Sequence, residues 1–442
     1  MFSIAPRLDI FSSSLAHAIH PDLPQTVTSL YSEALAVVCK GETQNMIARP
    51  IKPGILSLVA IDWDRRIFDE LVPLPEGTTY NSYLVRGSEK TALVETVYHP
   101  FTASYLEALE KAGLTRLDYI VANHGEQDHS GSIPAVLEKY PEATLVTNAR
   151  CRDLLLEAMP IATNRIRVVA EGDTLALGGR TFHFYSTPLV HWPDTMCSYL
   201  AEDKILFTCD FFGSHLASSD LFATDEANVE IAARRYYAEI MMPFAMHIRK
   251  HLAKLAPLAI DMIAPGHGPV YQRPAFILDL YKRWSSTEPR AEVVVPYVSM
   301  YDSTTQMVNY LIDCLMEHGL TVRPFNLVGA DTGHVAASLV DASTVVFATP
   351  AVLAGPHPDI VSAAYLTNAL RPKMKFAAVI GSYGWGGTTI ANHIVELLSG
   401  LKKQVTFFDP VLTKGQPSKE DFAALDHLVA QIVEANQPFL HC

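Results

Sequence analysis

Hydrophobic and polar positions change their spacing several times along the chain. Apolar side chains in residues 22–41 recur at helical spacing before Gly41, which predicts a helix with a glycine cap. From about residue 50 short β-rich runs follow one another, and strand-like and helix-like runs then alternate. These runs are GILSLVAIDWD, TYNSYLVRG, KTALVETV, LDYIVANH, SIPAVLEKYP, ATLVTNA and CRDLLLEAM. The alternation predicts an α/β fold.

A second series of strands and helices begins near residue 291. AEVVVPYVSM has the composition of a buried strand, and TTQMVNYLIDCLMEHG predicts an amphipathic helix that ends at a glycine. Further strands are predicted in LTVRPFNL, STVVFATP, KFAAVIGSYGWGG and KKQVTFFDP. This pattern predicts a doubly wound parallel sheet. The polar stretch around Pro289 marks the boundary, so we expect an extension over 1–50 and domains over 51–288 and 289–442.

Composition narrows the classes of function. The chain has 442 residues and a formal net charge of -13, with 34 basic against 47 acidic residues. A nucleic-acid partner is not expected, because phosphate binding requires a basic face. No apolar run is long enough to cross a membrane. The six scattered cysteines include no C-x-x-C pair, which predicts reduced thiols and a cytoplasmic protein. An organelle-targeting role for the extension stays open.

Metal-ligand side chains are concentrated in the stretch NHGEQDHSGSIP. Three further candidates each follow an apolar run and precede a turn, where ligands converge in α/β folds. The full set is His124, Glu126, Asp128, His129, His191, Asp210 and His267. Seven nitrogen and oxygen ligands are too many for one tetrahedral centre, so the set predicts two ions. A mixture of imidazole and carboxylate without thiolate favours iron or manganese.

Asp210 could bridge the two ions, because each of its two carboxylate oxygens can bind one of them. His124, Glu126 and His191 then remain for one ion, and the other three side chains remain for the second. Other histidines have plainer interpretations. The pair in HIRKH, His247 and His251, is expected on a solvated helical face. His267 taken alone is compatible with a capping or surface role, and His215 with either a pocket role or simple packing.

Three loops of the second domain form a candidate anion and ring site. VSMYDSTT follows a strand and precedes a helix, so its hydroxyls and backbone N–H groups suit a phosphate. ATPAVLAG and GSYGWGG each follow a later strand, and the latter offers Tyr383 and Trp385 as aromatic surfaces. No G-x-G-x-x-G follows a strand, so no built-in NAD site is expected.

The order H-x-E-x-D-H, then His191, Asp210 and a histidine in APGHG, resembles the iron site of flavodiiron proteins. IDWDRR, YNSYLVRG and HWPDTM continue the resemblance, which covers the chain from about residue 55 to its end. The resemblance implies an N-terminal metallo-β-lactamase-like αββα domain followed by a flavodoxin-like domain. Hydrolases of the first fold usually show H-x-H-x-D-H, and the resemblance ties Glu126, in place of the second histidine, to iron rather than zinc.

In the second domain the resemblance implies that FMN binds to the three loops. The implied residues are Ser299, Met300, Tyr301, Asp302, Ser303, Thr304, Thr349, Pro350, Ala351, Ser382, Tyr383, Gly384, Trp385 and Gly386. Asp302 departs from the family, in which glycine is common at this position. We expect its side chain to point to solvent, because a carboxylate beside a phosphate is unfavourable.

The resemblance further implies reduction of dioxygen to water, of nitric oxide to nitrous oxide, or of both, with electrons relayed through FMN. The donor is expected to be a separate molecule: a rubredoxin, a ferredoxin, a reductase or reduced deazaflavin. A head-to-tail homodimer, or a dimer of such dimers, is implied. Two alternatives stay open, namely a zinc hydrolase with an appended flavodoxin-like domain and a non-catalytic flavodoxin-like electron carrier.

Overall fold

A computed structural model describes residues 46–387 and 389–440. The helix predicted over 22–41 lies outside these residues. The chain divides into two compact units that interleave along the sequence. The first contains the residues up to Ile61 together with Thr79–Ser186 and Asp194–Cys209, and the second contains Asp62–Thr78, Thr187–Pro193 and the residues from Asp210 onward. Among the described helices, none combines the length and apolar character needed to span a bilayer.

The first unit contains a large mixed sheet whose strands neighbour one another in chain order. They are β1 (Ile47–Lys52), β2 (Ile55–Asp62), β3 (Thr78–Arg86), β4 (Thr91–Val94), β5 (Tyr119–Val121), β6 (Thr144–Asn148) and β7 (Ile166–Val169). Strands β4 to β7 run parallel, and all but the last residue of β3 is buried. The helices between these strands are α1 (Thr102–Lys111), α2 (Gln127–Ser130), α3 (Ile133–Lys139) and α4 (Ala149–Ala158).

An antiparallel meander follows in the same unit. Its strands are β8 (Thr174–Ala176), β9 (Thr181–Ser186), β10 (Met196–Leu200) and β11 (Ile205–Cys209). All five side chains of β10 and of β11 are buried. Both faces of these strands are covered. Asp210, the residue that follows β11, is therefore also buried.

The second unit begins with a helical part. Its elements are α5 (Glu226–Tyr236), α6 (Ala245–Leu255), strand β12 (Met262–Pro265) and α7 (Pro274–Trp284). A π-helical turn, Tyr237–Met241, continues directly from α5. His267 follows the end of β12 by two residues.

A parallel sheet fills the rest of the second unit. Its strands are β13 (Arg290–Tyr297), β14 (Thr321–Asn326), β15 (Ala342–Val352), β16 (Phe376–Tyr383) and β17 (Thr406–Phe407), with β18 (Val411–Lys414) paired to β16. The helices are α8 (Ser303–Glu317), α9 (Thr332–Leu339), α10 (Pro358–Leu370), α11 (Ile390–Leu397) and α12 (Lys419–Asn436).

The strand order of this sheet is β14-β13-β15-β16-β17, and every one of these neighbours runs parallel. That is the flavodoxin-like order, so the predicted doubly wound fold is confirmed. Met307, Leu311 and Leu315 of α8 are fully buried in the core on one face of the sheet. The predicted strand KKQVTFFDP is shorter than expected, since only Thr406 and Phe407 pair within it.

Candidate metal centre and cofactor cavity

The four ligand candidates of the first unit lie where β5 passes into α2. Glu126 occupies the position just before the helix, and Asp128 and His129 lie in its first turn. His124 Nε2 is 3.1 Å from Glu126 Oε2, and His129 Nε2 is 3.3 Å from Asp128 Oδ2. His124, Asp128 and His129 are buried, although ionisable side chains are rarely buried without a counterpart. The sequence cluster is therefore a spatial cluster as well.

His124 is held from behind by Asp194. The Nδ1–H of His124 donates to Asp194 Oδ2 at 3.0 Å, and the backbone N–H of Gly125 donates to the same oxygen at 2.8 Å. Burial alone would raise the pKa of Asp194, but the hydrogen bonds from His124 and Gly125 outweigh it and lower the pKa. A carboxylate on Nδ1 leaves Nε2, on the side of Glu126, as the nitrogen available to a metal.

Other buried contacts fix the backbone of the same loop. The backbone N–H and the hydroxyl of Thr96 both donate to the carbonyl oxygen of His129, at 2.8 and 2.7 Å. Glu95 is buried and accepts a hydrogen bond from the backbone N–H of Asn123 at 3.1 Å. Burial raises the pKa of Glu95 to about 7. These contacts tie the loop to the end of β4, so its ligands are pre-positioned.

In the second unit Asp210 lies between two histidines. Its Oδ2 is 3.5 Å from His191 Nε2, and its Oδ1 is 3.4 Å from His267 Nε2. The side chains of Asp210 and His267 are each 2 % exposed, whereas that of His191 is 16 % exposed. Each oxygen of one buried carboxylate thus faces a different imidazole, which is the arrangement expected of a ligand shared by two cations. The capping or surface role open to His267 alone is wrong.

Two aromatic side chains support this second cluster. Tyr236, the last residue of α5, donates its hydroxyl to Asp210 Oδ1 at 3.0 Å. The ring of His215 lies 4.9 Å from that of His267 and 4.8 Å from that of Tyr236. The Nδ1 of His215 is 2.9 Å from the hydroxyl of Thr78. His215 therefore adjoins the ligand cluster, as its pocket interpretation requires.

The solvated face predicted for the HIRKH pair is wrong for His251. This side chain is 3 % exposed, and its Nε2–H donates to the carbonyl oxygen of Pro188 at 2.9 Å. Burial lowers the pKa of His251. The reason for the error is that α6 turns this position toward the loop before His191 rather than toward water. His247, one turn earlier, is half-buried.

A cavity of about 500 Å³ opens among the three loops predicted to bind FMN. Nine of the predicted residues line it: Met300, Tyr301, Ser303, Pro350, Ala351, Ser382, Tyr383, Gly384 and Trp385. It lies at the C-terminal ends of β13, β15 and β16, which is where doubly wound sheets bind ligands. The volume is in the range of small-molecule sites.

The other five predicted residues do not line this cavity. Ser299 Oγ accepts the backbone N–H of Thr305 at 3.0 Å, and Thr304 Oγ1 lies 3.1 Å from Ser382 Oγ. Thr349 Oγ1 accepts the backbone N–H of His357 at 2.9 Å. Asp302 is exposed, as expected, and its φ of 66° explains why glycine suits this position. Gly386 likewise has a positive φ, of 62°.

Several residues around these sites were not predicted. Asp194 stands in the quoted motif HWPDTM, so a carboxylate close after His191 was a signal that could have found it. Tyr236 gave no signal, because its contact with Asp210 joins distant parts of the sequence. The cavity also includes Val352, Leu353, Ala354, Gly415 and Gln416.

Several known proteins are similar to this chain over most of their length. The ODP family β-lactamase model matches residues 78–268. The chain is 36% identical to the nitric oxide reductase of Moorella thermoacetica over 76% of this chain and 86% of that protein. The chain is also 31% identical to the rubredoxin-oxygen oxidoreductase of Megalodesulfovibrio gigas over 88% of this chain and 98% of that protein. The chain is 32% identical to the coenzyme F420H2 oxidase of Methanothermobacter marburgensis over 77% of this chain and 87% of that protein.

Solved structures of known proteins are also similar to the structure of this chain. The flavodiiron protein from Giardia intestinalis superposes with a TM-score of 0.82 at 27% identity, over 90% of this chain and 98% of its own. The chain belongs to the flavodiiron protein family. The rubredoxin–oxygen oxidoreductase structure from Desulfovibrio gigas, with a TM-score of 0.84 at 31% identity over 89% of this chain and all of its own, carries the same fold. Membership of the flavodiiron family confirms the predicted metallo-β-lactamase-like and flavodoxin-like fold and the oxidoreductase class.

Proposed function

We propose that this flavodiiron protein reduces dioxygen, nitric oxide or both at a diiron centre, with electrons that reach it through FMN from a separate donor. The names of its relatives, nitric oxide reductase and rubredoxin-oxygen oxidoreductase, support both oxidants. They also support a rubredoxin or a reduced deazaflavin as the donor. The relatives do not favour one oxidant over the other.

The observation that carries the proposal is the position of Asp210 between His191 and His267. We propose that Asp210 bridges two iron ions, that His124, Glu126 and His191 complete one ion, and that Asp128, His129 and His267 complete the other. These side chains offer imidazole nitrogens and carboxylate oxygens only, which fits iron. Glu126 in place of the histidine of zinc hydrolases adds negative charge to the set.

When bound, the iron ions and FMN supply the electron transfer and the reduction of the oxidant. The residues of the chain hold and orient these groups. Asp194 fixes the ring orientation of His124, and Tyr236 fixes Asp210 by donating to one oxygen. Asp194 and Tyr236 are buried, so water does not compete for their hydrogen bonds to His124 and Asp210. These bonds keep the two ligand side chains in fixed orientations.

The cavity of the second unit fits FMN in its chemistry. Ser303 begins the 15-residue helix α8 and lines the cavity, so its backbone N–H and hydroxyl would hold the phosphate of FMN at a helix N-terminus. Tyr383 and Trp385 offer aromatic surfaces to a flat ring. The domain division 51–288 and 289–442, the cytoplasmic location and the role of residues 1–50 stay predictions of the sequence.

We also propose a head-to-tail homodimer. The cavity is rimmed by exposed apolar side chains: Met300 at 41 %, Tyr301 at 88 %, Leu353 at 93 % and Trp385 at 74 % exposure. Exposed apolar groups of this size normally mark an interaction surface. In a two-fold dimer each partner covers the same surface of the other, which uses a single interface twice.

The function is tested by metal and flavin analysis of purified protein together with oxidant consumption. We expect about two iron ions and one FMN per chain, and consumption of dioxygen or nitric oxide when a reductant is supplied. Colourless protein that holds zinc would support the hydrolase alternative instead. Flavin without iron and without oxidant consumption would support the electron-carrier alternative.

For the dimer, we expect an Asp210→Asn chain and a Ser299→Ala/Thr304→Ala chain, each inactive alone, to regain activity in a mixed dimer. In that dimer one chain retains a complete flavin site and the other a complete metal site. Mixed dimers that retain these two cofactors and stay inactive would contradict the head-to-tail arrangement.

A further inference from the structure

A second cavity of about 500 Å³ lies in the second unit, away from the flavin loops. Its walls come from residues at the start of α6, from the end of α7 and from the segment that leads into β16. None of the proposed metal ligands and none of the proposed FMN residues lines it. The proposed function gives this cavity no role.

The cavity is cationic in a protein that is acidic as a whole. Arg249, Arg371, Lys373 and Lys375 line it and no Asp or Glu does, although the chain has a net charge of -13. Lys373 is neutralised by Asp341, whose Oδ1 lies 3.0 Å away. The other three make no ion pair within residues 46–387 and 389–440. Clustered cations that no carboxylate offsets produce a positive potential that concentrates anions.

Two residues that line the cavity, Tyr237 and Trp284, also carry buried hydrogen-bond donors. The Oη of Tyr237 and the Nε1 of Trp284 have no hydrogen-bond partner in the part of the chain that the structure describes. Both side chains are almost completely buried, at 0 % and 2 % exposure. Buried polar groups in native proteins are normally hydrogen-bonded, so these two donors retain the capacity to bond a ligand if its binding shifts the lining of the cavity. Tyr237 begins the π-helical turn, a distortion that often accompanies functional sites.

Apolar and aromatic side chains complete the lining. Met242, Phe244 and Met374 face the same space as Trp284. A bare inorganic anion would leave this part of the cavity without a partner. Small-molecule sites of this volume combine an apolar lining with a few convergent polar groups, and this cavity has both.

We propose that this cavity binds a nucleoside phosphate. The phosphate pairs with Arg371 and Lys375, and acceptor atoms of the ligand take the hydrogen bonds of Tyr237 and Trp284. The planar base packs against the apolar side chains. The proposal is independent of which oxidant the diiron centre reduces.

Titration calorimetry on the iron- and FMN-loaded protein tests the proposal, with ADP, adenosine and inorganic phosphate as probes. We expect ADP to bind once per chain, and adenosine and phosphate each to bind at least about tenfold more weakly, because each offers only half of the contacts. Absence of ADP binding, or phosphate binding as tight as that of ADP, would overturn the proposal.

Charge variants locate the binding. Arg371→Glu combined with Lys375→Glu should weaken ADP binding at least about tenfold, because two cations at the phosphate become anions. The matched control, Lys111→Glu combined with Lys419→Glu, makes the same change of charge at exposed positions outside the cavity. Equal affinity in the two double variants would place ADP elsewhere, and unchanged FMN content shows that both proteins are folded.

Tyr237→Phe tests the buried donor separately. We expect weaker ADP binding without a lower melting temperature of the ligand-free protein, because the hydroxyl has no partner until the ligand binds. A lower melting temperature with unchanged ADP affinity would show that the hydroxyl serves the fold, and would remove Tyr237 from the site.

Discussion

Replacement of Asp194 by Asn tests whether the buried carboxylate behind His124 controls metal retention. Asp194 is 1 % exposed and accepts from His124 Nδ1 at 3.0 Å and from Gly125 N at 2.8 Å. Asparagine has almost the same size, so the packing is retained. The amide keeps one oxygen acceptor but removes the negative charge that makes His124 a better ligand and sets its tautomer.

The expected magnitude follows from these contacts. A hydrogen bond to a charged group contributes about 1.5–3 kcal/mol, and the neutral amide retains part of it. A loss of about 1.4–2.7 kcal/mol corresponds to a tenfold to hundredfold weaker affinity. This agrees with the roughly 10–100-fold loss typical of carboxylates that support metal-bound histidines. The ion held by His124 should be lost before the other ion, so the iron content per chain should first fall toward half of its initial value.

The assay is iron content during dialysis against a chelator, with FMN content and thermal unfolding measured on the same samples. Asp118→Asn is the matched control, because Asp118 also accepts a backbone N–H, from Thr91 at 2.9 Å, and is not a proposed ligand or support. We expect faster loss of iron from the Asp194 variant alone, with FMN retained in both. If both variants release iron at the rate of the unmodified protein, the tautomer argument is refuted.

Three further changes have defined outcomes. Glu126→His restores the ligand pattern of zinc hydrolases, so metal analysis should show less iron, more zinc and no oxidant consumption; full iron content would remove Glu126 from the ligand set. Ser299→Ala with Thr304→Ala removes one hydroxyl that accepts at the start of α8 and one that contacts Ser382, so flavin fluorescence titration should show FMN affinity at least about tenfold lower with iron retained. Asp341→Asn leaves two cationic partners unpaired and should lower the free energy of unfolding by about 3 kcal/mol, measured by urea denaturation. Burial would raise the pKa of Asp341, but Arg234 and Lys373 outweigh this effect and hold the pKa below its ordinary value. A carboxyl group whose pKa is lowered in the folded state stabilises the fold at pH values above its unfolded pKa. The difference in free energy of unfolding between the unmodified protein and the Asp341→Asn variant should therefore stay constant from about pH 7 to 5 and shrink as the pH falls further. A difference that shrinks as the pH is raised would contradict the ion-pair assignment.

Local sequence was sufficient for many of the elements and for the chemistry of the ligands. The helix predicted from residue 304 to 319 is observed as Ser303–Glu317, because its apolar spacing is a property of one continuous segment. Strands β2 to β6 and β13 to β17 were found for the same reason, whereas β1 and β7 to β10 were not predicted. Alternation with helices predicted a doubly wound sheet, but only the tertiary structure decided its strand order. His124, Glu126, Asp128 and His129 were found because one loop carries all four side chains and none of them has a packing role.

Tertiary structure alone decided how those ligands are supported and what else the chain can bind. Asp194 lies 70 residues from His124 in sequence, and Tyr236 lies 26 residues from Asp210, so no local pattern relates either pair. His251 has the polar neighbours of a solvated helical face, yet its contact with Pro188 buries it. The cationic cavity unites residues from several separate segments, none of which is unusual by itself. Periodicity reports which face of an element is apolar, whereas the partner that each polar group meets depends on long-range packing, which a single segment does not encode.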